Sequence, residues 1–222
     1  MKQLKGFFFC LLLLQTLSFT GSAQQSFPFS NEIEGFKKQD SVNPPPQKAI
    51  LFVGSSSFRM WTNLQNDFPG YTIINRGFGG SSLPDVIRYA PDIIIPYNPK
   101  QVVIYCGEND FTAEGVNAEI VYDRFTTLFE IIREKLPKAH ILFVSLKPSP
   151  SRLKYLPEMV RANTMVKNYL KKYRRTDYVD VYSKMLLADG TPMPDIFKAD
   201  NLHMTEAGYV IWQKAIKPYL KK

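Results

Sequence analysis

Three consecutive serines, Ser55, Ser56 and Ser57, follow an apolar run that ends at Gly54. A serine hydroxyl is a poor nucleophile until a base takes its proton, so the histidines decide what these serines can do. The chain has two. His140 opens an apolar run between Ala139 and Ile141, at the amino end of an expected strand and away from the edge where parallel sheets carry their sites. His203 stands in Asp200-Asn201-Leu202-His203 and is the better base. In a helical or tight turn, Asp200 accepts a hydrogen bond from one imidazole nitrogen and leaves the other for a serine. By itself the spacing also suits an N-terminal cap for the last helix.

Two further segments offer hydrogen-bond donors. Gly77-Phe78-Gly79-Gly80 lets backbone come close to a ligand, and Gly80 has an N–H to aim at an oxyanion. Asn109, in Gly107-Glu108-Asn109-Asp110, adds a side-chain amide. The N–H of a serine that opens a helix is a third donor. Nucleophile, base, orienting carboxylate and oxyanion donors together make an acyl-transfer site. Each part also has a plainer reading: a helix cap for the serines, a turn for the glycines, a buried or capping role for Asn109. Chemistry alone leaves the nucleophile shared among Ser55, Ser56 and Ser57.

Such groups need a scaffold, and the chain alternates apolar runs with helical patterns. Strands are expected at 49–53, 71–75, 101–106, 140–146 and 178–181. Helices are expected from about Ser57, over 84–95 with a break or restart at Pro91, and over 118–135, 157–173 and 205–220. Short links between alternating elements imply a parallel sheet covered on both faces. Residues 24–47 are polar, end in Pro44-Pro45-Pro46 and read as an extended lead-in.

Residues 1–23 read as a secretory signal peptide, with Lys2 and Lys5, an apolar Phe7 to Leu14 and small residues Gly21-Ser22-Ala23 before Gln24. Cys10 lies inside the apolar stretch, which disfavours a lipid anchor. Processing leaves Cys106 alone, so no intrachain disulfide forms. It also lowers the net charge from +8 to +6. Lys167, Lys171, Lys172, Arg174 and Arg175 cluster at a helix end, where cations suit the helix dipole; anionic polysaccharide or phospholipid headgroups are the alternative partner. Nucleic-acid binding is not expected, since no aromatic platform accompanies the charges. Two distant histidines and one cysteine make no typical zinc set. Neither a phosphate-binding loop nor a dinucleotide fingerprint is present.

Taken together and in order, the four segments resemble the blocks of the SGNH (GDSL-type) hydrolase superfamily, over almost all of the chain after the signal peptide. Val53-Gly54-Ser55-Ser56 resembles the first block and makes Ser56 the nucleophile. Asn75-Arg76-Gly77-Phe78-Gly79-Gly80 resembles the second, with Gly80 as oxyanion donor. Gly107-Glu108-Asn109-Asp110 matches the third, with Asn109 as donor, and Asp200-Asn201-Leu202-His203 matches the fifth. The resemblance implies one α/β domain over 48–222, a three-layer α/β/α sandwich of flavodoxin-like form around a five-stranded parallel sheet. It implies a triad of Ser56, Asp200 and His203, an oxyanion hole of the Ser56 N–H, Gly80 and Asn109, and no metal or cofactor. Ser55 replaces the family's usual Asp. The α/β-hydrolase elbow is excluded, because Phe58 stands where its second glycine belongs.

The family includes carbohydrate O-acetylesterases, lysophospholipases, thioesterases and acetylhydrolases of platelet-activating-factor type. Export without a membrane anchor, and no long apolar lid, favour short acyl groups on an exposed glycan. Trp61, Tyr105 and Phe111 are either sugar-stacking platforms or core. A lipid esterase and a glycan-binding module without turnover are the competing readings. The sequence does not set the oligomeric state.

Overall fold

The computed structural model describes residues 27–222. The expected signal peptide and Cys10 lie outside the described residues. Five strands, β1 (Ile50–Gly54), β2 (Ile73–Gly77), β3 (Gln101–Tyr105), β4 (His140–Val144) and β5 (Thr176–Val179), form one parallel sheet in the order β2-β1-β3-β4-β5. Every residue of β1 and β3 is buried, as a strand with helices on both sides requires. Alternate side chains go to opposite faces: Leu51 and Val53 join one core, Ile50 and Phe52 the other. The sheet order reverses between β1 and β3, and that switch point opens a crevice at the carboxyl edge.

The first core lies under α1 (Ser30–Val42), α4 (Leu83–Ile93), α5 (Ala118–Lys135) and α6 (Leu156–Leu170). The second lies under α2 (Ser56–Arg59), α3 (Leu64–Asp67) and α7 (Glu206–Ile216). It is strongly aromatic: Phe52, Phe58, Trp61, Phe68, Tyr105, Tyr209 and Trp212 meet edge-on or tilted. Such pairs contribute about 0.5–1.5 kcal/mol beyond their buried area. Among the described residues no helix is long and apolar enough to cross a membrane.

Two expectations need correction, and one pair of alternatives is decided. The lead-in is not extended over its length, since it contains α1, whose buried anchor is Ile33 with Phe36 half-buried beside it. Two apolar positions leave too faint a stripe to read, and the helix is held by tertiary contacts instead. Asp40 pairs with Arg76 and accepts from the Tyr97 hydroxyl. Second, α4 runs through Pro91 to Ile93; so near the carboxyl end, the missing N–H costs little of the helix. Of the two readings of Trp61, Tyr105 and Phe111, the core one holds, since all three are buried. The first two belong to the aromatic core and Phe111 to the core on the opposite face, so none offers a ring to a sugar.

Candidate active site

At the end of β1 the chain turns sharply. Gly54 has φ 140°, and a Cβ there would lie 1.9 Å from the Tyr105 carbonyl oxygen of β3. Only glycine tolerates both. The turn delivers Ser55, whose N–H donates to the Tyr105 carbonyl at 3.0 Å. This backbone anchor holds Ser55 without the carboxylate usual at that position. Ser56 then opens α2. Ser55 and Ser57 are buried, whereas Ser56 is only half-buried, and its Oγ lies 3.0 Å from His203 Nε2. Of the three serines, this is the one brought to the base.

His203 sits in a loop closed like a hairpin. Phe197 and Met204 pair across it, and the Lys198 N–H donates to the His203 carbonyl at 2.7 Å. Asn201 at the tip takes φ 56°, a left-handed conformation that asparagine tolerates better than most residues. Asp200 organises the turn. Its Oδ1 accepts the N–H of Leu202 at 3.0 Å and of His203 at 2.9 Å, while Oδ2 stands 2.6 Å from His203 Nδ1. Thr205, and not Asp200, stands at the N-cap position of the last helix, and it makes no capping side-chain hydrogen bond there; Asp200 spends its oxygens on its own turn. The hydrogen bond from His203, then the two backbone N–H groups, hold the Asp200 carboxyl well below the usual carboxylate range. It is therefore an anion placed to orient and balance an imidazolium.

The donors converge from β2 and β3. The Phe78 N–H donates to the Gly54 carbonyl at 3.0 Å, which fastens the glycine segment to the serine turn. Gly79, at φ 36°, lies under the Phe29 ring, where a Cβ would come within 2.1 Å. Its N–H donates to Glu32 of α1 at 3.0 Å, and Glu32 also meets Arg59 at 3.4 Å. α1 and the residues before it thus brace the glycine segment. Among the described residues, no protein acceptor engages the N–H of Ser56 or of Gly80. Asn109 Nδ2 lies 3.8 Å from where a Gly80 Cβ would stand and donates to the Ser81 carbonyl at 3.2 Å. With α2 only four residues long, its dipole adds little, and individual N–H groups supply the donation.

The structure thus brings Ser56, Asp200, His203, Gly80 and Asn109 to one edge. His140 is at the opposite edge, at the amino end of β4, paired with Asp177 at 2.8 Å. Other groups here had escaped notice in the sequence. Asp110 accepts from the Leu83 N–H at 2.9 Å and from Arg124 at 2.8 Å, tying the Asn109 loop to the start of α4. Burial raises its carboxyl above the ordinary value against the pull of those donors. Glu108, buried beside Asn109, pairs with Lys147. A lysine directly after an apolar strand is a faint signal of such a partner.

A family model described as the GDSL-like lipase/acylhydrolase family matches residues 49–211. The chain belongs to this family. No curated protein matches the sequence, but solved structures share its fold. A Streptococcus pneumonia protein provisionally described as a platelet activating factor matches with a TM-score of 0.75 at 19% identity, over 86% of this chain and 92% of its own. A GDSL-like lipase from Bacteroides thetaiotaomicron matches at 0.71 and 20%, over 84% and 96%. A variant of Axe2, an acetyl-xylooligosaccharide esterase from Geobacillus Stearmophilus, matches at 0.61 and 18%, over 78% and 93%. At these identities the GDSL-like relatives share the fold of this chain.

Proposed function

We propose that this protein is an exported serine ester hydrolase that removes short acyl groups, acetyl above all, from carbohydrate. The observation that carries the reading is the line Ser56 Oγ to His203 Nε2 at 3.0 Å and His203 Nδ1 to Asp200 at 2.6 Å. His203 takes the Ser56 proton as Oγ attacks the acyl carbonyl. The carbonyl π electrons move to oxygen, and the N–H groups of Ser56 and Gly80 with the Asn109 amide receive that oxyanion. As the oxyanion collapses, the C–O bond to the alcohol breaks and His203 delivers the proton to the leaving oxygen. Water, deprotonated by His203, then attacks the acyl-serine by the same route and frees the acid and Ser56. Residues 1–23 support export.

The sequence holds no long apolar insertion to form a lid over the site, which favours a small acyl group. The fold shared with an acetyl-xylooligosaccharide esterase agrees with this, while the fold shared with a protein described as a platelet activating factor keeps a lipid ester as the second reading. Hydrolysis of p-nitrophenyl esters from two to twelve carbons, beside acetate release from acetylated xylan, separates them. Fast acetate turnover with xylan deacetylation is expected. A maximum at eight carbons or more contradicts the short-acyl reading.

A further inference from the structure

The segment between β4 and α6 crosses the same edge with three cations, of which Lys147 and Arg152 reach Glu108. Lys147 is 1% exposed. Its Nζ donates to both Glu108 oxygens, at 3.0 and 2.8 Å. Glu108 also accepts from the Tyr105 hydroxyl and from Ser149 at 3.5 Å, and burial keeps Tyr105 neutral by pushing its hydroxyl well above the ordinary range. One carboxylate is therefore already matched by one ammonium. Arg152 is a second cation. Its Nε lies 3.9 Å from Glu108 Oε1, too far for a hydrogen bond, and this buried nitrogen has no partner among the described residues. Its Nη2 reaches Asn109 Oδ1 at 3.4 Å. Glu108, Lys147 and Arg152 together leave one positive charge behind the Asn109 amide.

We propose that Arg152 is a positioning residue for the Asn109 oxyanion donor, and that this role explains why its charge is left unmatched. The inference rests on the serine-esterase reading above. A guanidinium has donors and no acceptor, so it faces only the oxygen end of the Asn109 amide. Nδ2 must then point the other way, toward the Ser81 carbonyl and Gly80. Without Arg152 the amide is held only by the Nδ2 hydrogen bond to the Ser81 carbonyl at 3.2 Å, and an amide that turned would present its oxygen to the developing oxyanion, which repels it. The unmatched charge acts in the same direction, because it favours negative charge at the site and acts strongly where water is excluded. The neighbouring Ser151 N–H donates to the Asn201 carbonyl at 3.0 Å. One short segment therefore fixes both the donor and the loop of Asp200 and His203.

The test is steady-state kinetics on p-nitrophenyl acetate, a neutral ester, with Arg152→Gln, Arg152→Lys, Asn109→Ala and the Arg152→Gln/Asn109→Ala double variant, each checked by thermal melting. Arg152→Gln is expected to lower kcat about 10- to 100-fold with KM within about twofold, since a misaligned donor loses part of the roughly 10²- to 10³-fold that a deleted one supplies. Arg152→Lys, which keeps the charge but not the fork, should fall between, and it carries the test if the glutamine variant does not fold. Once Asn109 is alanine, removing Arg152 should cost less than about threefold, because its effect runs through the amide. Unchanged kcat in Arg152→Gln, or losses that multiply in the double variant, overturns the inference while wild-type turnover upholds the esterase reading. An effect confined to KM for esters carrying a carboxylate also overturns it and makes Arg152 a substrate-binding group. No wild-type turnover on any ester overturns both.

Discussion

The molecule contains two histidine–aspartate pairs of almost the same length, one through Nδ1 and one through Nε2, at opposite ends of one sheet. His203 and Asp200 stand 2.6 Å apart at the carboxyl edge, His140 and Asp177 2.8 Å apart at the amino edge. Their surroundings differ. The free nitrogen of His203 faces Ser56 Oγ, and unused backbone donors and the Asn109 amide lie near. The Asp177 carboxylate is shared with Lys221 at 3.0 Å, and the pair fastens the chain terminus to the start of β4. At the carboxyl edge glycine-bearing turns expose N–H groups, whereas at the amino edge the strands begin with their backbone already engaged, as in the His140 N–H to the Lys100 carbonyl at 2.9 Å. A carboxylate–imidazole pair becomes catalytic through what stands on the second nitrogen.

The largest effect that sharpens this contrast is expected at the carboxyl edge. His203→Gln should lower kcat on p-nitrophenyl acetate by about 10⁴-fold or more, and Asp200→Asn by about 10²- to 10⁴-fold. Matching variants at the amino edge, His140→Gln and Asp177→Asn, should leave kcat within about twofold. Loss of activity in His140→Gln with an intact fold would break the contrast.

The two pairs also differ in acid. Asp200 is depressed in the folded state, so its contribution to stability is present above its ordinary value of 3.8 and is lost only as the pH falls further, through the folded value. The Asp200 carboxylate therefore stays ionised through the range where most carboxylates titrate. His140 behaves oppositely. Burial lowers its pKa below the ordinary 6.5, outweighing Asp177, with Lys221 and Arg133 acting in the same direction as burial. The unfolded chain then binds the extra proton first, so stability declines as the pH falls below about 6.5 and until the folded value is passed. This is the smallest expected effect: denaturation midpoints followed between pH 7 and 5 should fall less steeply in His140→Gln than in wild type. An equal slope would remove His140 from the account of acid sensitivity.

Much of the scaffold was legible because its elements bury large regular faces. The helix expected over residues 118–135 is found at those bounds, since its length makes the amphipathic period unmistakable. α1 was invisible for the opposite reason: one buried isoleucine and the pairing of Asp40 with Arg76 hold it, and neither leaves a periodic trace. The order of the four motifs pointed to Ser56, which chemistry alone had left equal to its neighbours. The support beneath the site was not legible. Glu108 meets Lys147 39 residues away, and Asn109 meets Arg152 43 residues away. Beyond the lysine that follows the apolar run of β4, nothing local in either segment marks a partner that only the sheet order brings near. Trp61, Tyr105 and Phe111 stayed open between core and sugar platform in the sequence, because proximity to a motif says nothing about which way a ring turns.

The central claim is that Ser56 is a nucleophile activated by His203. Labelling the full chain with a fluorophosphonate, then mapping the adduct by peptide mass spectrometry, tests it most directly. The account predicts a stoichiometric adduct on Ser56 that His203→Gln slows about 10³-fold or more. An adduct on Ser55 or Ser57, or none in a folded, wild-type protein, would contradict it.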